Sequence, residues 1–262
     1  MKSMMRLSAV GSVLALAGAL AFSGQAAADT VTATYGGMTQ TRGVGYSVVL
    51  PPTGSPQTTK TGNTTTGIFN FSAAEGPILT YGTDQFVTFC IDLDDTAQTG
   101  SRTWDVVGLA NAPDSTAGPM GDVKAASLAK LLGAAITSGV LNDARNLTDV
   151  QKQALQLAIW EVVHEGQTNA SGEFVYDITG GSMKITSGLT TGVLNQATAY
   201  LNAMSTATAM GGLVALTSTA NQDFIGQVPI PAAAWLFGSA LLGIAALGRR
   251  NRKQTEESET LA

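Results

Sequence analysis

Two side chains stand out for their chemistry: Cys90, the only thiol among 262 residues, and Gln156, an amide inside an apolar run. A thiolate is a strong nucleophile and a metal ligand. A single Cys excludes an intramolecular disulfide, and with one His in the chain there is no ligand set for a structural zinc. No metal and no cofactor are therefore expected. Gln156 shares a helical face with Ile159, Trp160 and Val163, and a buried carboxamide left without partners costs about 1–3 kcal/mol. The strand-like run Phe86 to Leu93 alternates Val87, Phe89, Ile91 and Leu93 with Phe86, Thr88, Cys90 and Asp92, which puts the thiol off the fully apolar face.

Other polar residues offer weaker chemistry. His164 lies eight residues beyond Gln156, roughly 12 Å along a helix axis, and reads as a helix-end residue near the C-terminal dipole. Asp92, Asp94 and Asp95 lack the Gly and distal Glu of a calcium loop and read as a solvated acidic turn. Glu161 and Glu165 have the spacing of an exposed i,i+4 acidic pair. No phosphate loop, nucleotide fingerprint or catalytic triad is visible, and the chain is not expected to be an enzyme.

The elements that must position Cys90 and Gln156 differ in kind. The N-terminal half is rich in Thr, Gly and Ser, with short β-prone runs: VTATYGG, GYSVVLPPTGSP, TGIFNFS, PILTYG, QFVTFCIDL and TWDVVGL. Such punctuation predicts a sandwich or barrel. PTGSPQTTKTGNTTTG reads as a mobile surface loop. Helices are predicted from Asp122 to Val140 and from Thr148 to His164, the second opened by a Thr148–Gln151 capping box and stopped near Gly166. A third helix is expected around Thr191 to Met204, then strands near Leu213 to Thr217 and Asp223 to Gln227. The second helix is apolar on most sides and should be buried.

Composition and termini fix the compartment. The chain is 44% apolar and 13% charged, with a net charge of −5 that argues against nucleic-acid binding. Residues 1–28 combine Lys2 and Arg6, an apolar run and the small residues Ala26-Ala27-Ala28, the pattern of a cleaved secretory signal. Residues 228–253 read VPIPAAAWLFGSALLGIAALGRRNRK, with an uncharged stretch over 232–248 and then basic residues including Arg249 and Arg250. That predicts a transmembrane helix over 232–248, with residues 254–262 as a cytoplasmic tail by the positive-inside rule. The expected fold class is α+β: a mainly β sandwich or barrel framework over 29–227 with a helical insert at about 121–166, flanked by a signal helix and a transmembrane sorting helix.

The C-terminal segment resembles the PEP-CTERM sorting signals, in the VPLPA-CTERM variant, through Val228, Pro229, Pro231, Ala232, Ala233, Trp235, Leu236 and Phe237. The resemblance implies an exosortase-type sorting enzyme as partner in a Gram-negative bacterium, with transient membrane anchoring before transfer to the envelope or exopolysaccharide matrix. Ile230 stands where the eponymous Glu would be, and the tail TEESETLA is longer than the pattern.

Phe89-Cys90-Ile91 followed by Leu155-Gln156-Leu157-Ala158-Ile159-Trp160 resembles the bacterial thioester domain of surface adhesins. The likeness rests on about nine residues. It implies condensation of the Cys90 thiol with the Gln156 carboxamide into an internal thioester, with Phe89, Ile91, Ile159 and Trp160 forming a pocket that excludes water. A surface amine or hydroxyl, such as one on an exopolysaccharide, would then be captured covalently. The expected function is that of an exported adhesive surface or matrix protein. Two alternatives are a structural biofilm protein that keeps the fold without the bond, and an extracellular polysaccharide hydrolase, which lacks a visible catalytic constellation.

Overall fold

The computed structural model describes residues 29–52, 56–113, 115 and 118–229. The predicted signal segment, the 232–248 helix and the sorting residues Pro231, Trp235, Arg249 and Arg250 lie outside the described residues. Within them, no helix is long and apolar enough to cross a membrane.

Thr-rich sequence builds the framework rather than a loop. Strands β1 (Thr30–Leu50) and β2 (Thr58–Glu75) form a long antiparallel ribbon, in register from Thr32 opposite Glu75 to Leu50 opposite Thr58. The expected mobile loop is thus largely β2. Its β-branched threonines suit a pleated strand, and β1 supplies the ladder that no short-range signal could reveal. Three register shifts, at Thr32/Thr34, Tyr35/Gly37 and Thr39/Arg42, bend the ribbon. Its two halves can therefore join different neighbours.

The first half of β1 pairs with β4 (Gly100–Gly108), and the second half with β5 (Met183–Ser187). With β3 (Phe86–Thr88), β6 (Leu213–Thr217) and β7 (Phe224–Gln227), the strand order is β3-β2-β1-β4-β6-β7, antiparallel throughout, with β5 branching from β1. The ends of that order meet. Just beyond β3, Cys90 bridges Phe224; Ile225 donates its N–H to the Phe89 carbonyl at 3.0 Å, and Ile91 donates to Asp223 at 3.1 Å. The sheet closes into a small barrel whose seam carries Cys90, and closure removes the exposed edges of an open sheet. Phe71 stacks on Phe86 at 4.9 Å and meets Trp104 and Phe224 edge-on, filling the interior. PILTYG, expected as a strand, contributes only a bridge from Tyr81 to Gln85.

Three helices cover this framework: α1 (Gly121–Ala135), α2 (Asp149–His164) and α3 (Thr191–Ala203). The first stops short of the expected Val140, because Ile136 leaves helical geometry and Gly139 adopts a φ of 73° in the following turn. Thr148 caps α2 with both halves of the capping box in place. At the other end Glu165 is already extended. Gly166 matters there for a different reason than a left-handed cap, since a Cβ would come within 1.9 Å of the Pro52 carbonyl oxygen. α2 lies against the β1–β2 ribbon, α1 and α3, so nearly all its faces are buried.

Candidate functional site

Cys90 and Gln156 meet where α2 crosses the barrel seam. Gln156 is 0% exposed and spans the main chain of Cys90: the Cys90 N–H donates to Oε1 at 3.0 Å, and Nε2 donates to the Cys90 carbonyl at 2.8 Å. The amide thus behaves as one more rung of the ladder. It satisfies backbone groups that have no strand neighbour on that side, as buried main-chain polar atoms require. Polar partnership was the expectation for a buried Gln; that it would grip the backbone of Cys90 was not readable from spacing.

The thiol itself turns the other way along the chain. Sγ donates to the Asp92 carbonyl at 2.6 Å and accepts from the Asp92 N–H at 3.2 Å. Phe89, Ile91, Ile159 and Trp160 are all fully buried. Burial first, and then the charge of Asp92, push the Cys90 thiol well above its ordinary pKa. The indole N–H of Trp160 lies close enough to the sulfur to favour its thiolate, though it has no hydrogen-bond partner of ordinary geometry. At neutral pH the group is a protonated thiol.

The acidic turn after Cys90 is only partly solvated. Asp92 is 1% exposed; one carboxylate oxygen accepts the Asp94 N–H at 2.7 Å and the other, Oδ2, has no partner. Desolvation raises its pKa. Asp94 receives Lys60 Nζ at 2.6 Å, and only Asp95 is exposed. Among the described residues no group of His, Cys, Asp and Glu is arranged to hold a metal ion.

The far end of α2 departs most from expectation. Glu161 and Glu165, read as an exposed pair, are buried at 1% and 0% exposure. Glu165 Oε1 accepts N–H groups from Gly166 at 2.7 Å, from Gln167 and from Ser182, whereas Glu161 Oε1 takes the Asp177 N–H at 2.6 Å and leaves Oε2 unpartnered. Lys124 enters from α1, donating to the Val163 carbonyl at 2.9 Å and lying 4.9 Å from the centre of the Phe174 ring. Burial holds Glu161 up at about 8 and Lys124 down at about 8. His164 does end α2, but it is fully buried, with burial lowering its pKa to about 3. A neutral ring cannot serve the helix dipole as a cation. The available signal for Glu161, Glu165 and His164 was the apolar girdle of α2: a helix buried on every side buries its charged residues too.

No known family matches the sequence, and no curated protein matches it. Among solved structures, the chain is similar to a pilus-presented adhesin, Spy0125 (Cpa), at 10% identity over 78% of this chain and 68% of that one, with a TM-score of 0.36. At that distance the likeness fixes neither family nor function.

Proposed function

We propose that this chain is an exported surface or matrix protein that captures its target covalently, through a thioester between Cys90 and Gln156. The observation that supports this reading is the double hydrogen bond between the Gln156 carboxamide and the Cys90 main chain inside a fully buried site. The Cys90 N–H on Oε1 polarises the amide carbonyl in the manner of an oxyanion hole. In the condensation, Sγ bonds to Cδ, the Cδ–Nε2 bond breaks, and the thiol proton leaves with the nitrogen as ammonia. The bond from Nε2 to the Cys90 carbonyl is lost; the bond from the Cys90 N–H to Oε1 can persist. The buried surroundings protect the product from water. Capture is single-use, so the protein is not an enzyme in the turnover sense. The sequences of the terminal segments support a place at the cell envelope and handling by an exosortase-type enzyme.

One observation favours a second reading, a structural matrix protein without reactive chemistry. The intact amide already satisfies both main-chain groups of Cys90, which is a complete non-covalent lock. Intact mass decides between the two. A thioester lowers the mass by about 17 Da and takes up methylamine with a gain of about 31 Da, and Cys90→Ala shows neither. Full mass with a titratable thiol after denaturation leaves the structural reading.

A further inference from the structure

The segment that follows Asp92, from Leu93 to Ala97, forms one bank of a surface groove of about 420 Å³, a volume within the usual range for small-ligand sites. The opposite bank is the bent β1–β2 ribbon, which contributes Tyr35 and Phe69, with ring centres 6.0 Å apart, and the exposed Asn63. Lys60 crosses the floor but is already committed to Asp94 at 2.6 Å and to the Leu93 carbonyl at 2.9 Å. Asp95, which is exposed, lines the groove as well, so its charged residues leave one negative charge. Gln222, 6% exposed, also lines it. Gln222 Nε2 reaches the Asp92 carbonyl at 3.5 Å, the same carbonyl that receives the Cys90 thiol, while Oε1 has no hydrogen-bond partner. A hydrogen-bonded path thus runs from the groove through Gln222 and the Asp92 carbonyl to the sulfur.

Tyr35, an amide and hydroxyl rim, the carboxylates of Asp94 and Asp95 and a buried amide acceptor lacking a donor together describe a site for a polyhydroxyl ligand. We propose that this groove binds a neutral saccharide, with a ring on Tyr35 and a hydroxyl donating to Gln222 Oε1. The covalent step rests on the thioester reading: a sugar hydroxyl oxygen attacks the Gln156 acyl carbon, the Cδ–Sγ bond breaks, and the hydroxyl proton passes to sulfur, leaving an ester and a free thiol.

Reversible binding is measured with the full chain carrying Cys90→Ala, which removes the covalent chemistry, on an array of neutral glucans, galactans and mannans, with spermidine and poly-lysine as the cationic arm. Binding to at least one neutral glycan class is expected, weakened roughly tenfold by Gln222→Leu and severalfold by the exposed Asn63→Ala at unchanged melting temperature. No binding to any neutral glycan, or preference for spermidine or poly-lysine, overturns the proposal. Asn63→Ala without effect on a bound glycan also overturns it. Glycan binding by a protein of full intact mass upholds the groove and defeats the thioester; a mass deficit without glycan binding does the reverse.

Discussion

The middle of α2 and its C-terminal end bury polar side chains by opposite means. At Gln156 a neutral amide donates and accepts at once, so both of its hydrogen-bonding atoms and both main-chain groups of Cys90 are satisfied without any net charge. One turn and a half further on, Glu161, Glu165 and Lys124 place ionisable groups at the same depth, and Glu161 Oε2 is left over. Burial of charge is tolerated only when paired or hydrogen-bonded, and otherwise the group shifts its pKa toward neutrality. Glu161 and Lys124 have done so; Gln156 had no need to. The amide site should therefore depend on geometry and be indifferent to pH, while the carboxylate end should respond to both.

The largest expected effect breaks the amide site. Gln156→Ala strands the N–H and carbonyl of Cys90 and opens a cavity in the seam, at a cost of about 4 kcal/mol, or about 10 °C in melting temperature. A loss below about 1 kcal/mol would mean that the seam holds Cys90 without the amide. Next is Glu165→Ala, which removes the acceptor of the Gly166, Gln167 and Ser182 N–H groups and is expected to cost about 3 kcal/mol by chemical denaturation.

A pH series sharpens the contrast. Glu161 has a folded-state pKa of about 8 against an ordinary 4.5, so its contribution is full below 4.5 and is lost as pH rises through 8. His164, at about 3 against 6.5, acts in the opposite sense: its contribution is full above 6.5 and is lost as pH falls toward 3. Stability should peak between these windows. Glu161→Gln keeps an acceptor for the Asp177 N–H and should flatten the alkaline limb by about 1–2 kcal/mol, read from melting curves at pH 5 and pH 8. An unchanged alkaline limb would place the titration elsewhere. In the uncondensed protein the smallest effect belongs to Cys90→Ser, whose hydroxyl can take over the Asp92 contacts of the thiol; a change of at most about 1 kcal/mol is expected, and a larger loss points to a broken thioester cross-link.

These two regions were unequally legible in the sequence. The capping box at Thr148 and Gln151 and the apolar girdle of α2 are local patterns, and they placed the helix that carries Gln156 within a residue of its bounds. Strands β6 and β7 were also visible as short β-prone runs. What local pattern could not supply was partnership across long distances. Thr58 to Thr66 looked like a loop because its Thr, Gly and Asn residues have turn propensity, and only the β1 ladder turns that composition into a strand. The same limit hid the carboxylates: i,i+4 spacing marks Glu161 and Glu165 as neighbours, but the loop that donates the Asp177 and Ser182 N–H groups lies beyond the helix. For the groove, no pattern joins Tyr35 to Gln222. They meet only because the ribbon bends.

The closure of the barrel at Cys90 has a temporal side. The contact of Thr88 with Ile225 spans 137 residues, and the strand that completes the seam is the last of the described chain. Loop closure over such a separation comes late in folding, since many local contacts form before its entropy is offset. During N-to-C-terminal synthesis the sulfur therefore waits uncovered on its barrel side until Phe224 arrives. A chain truncated before Phe224 should remain open to small thiol reagents that the intact chain excludes. The same strand that seals the barrel sets the moment at which the cysteine leaves solvent.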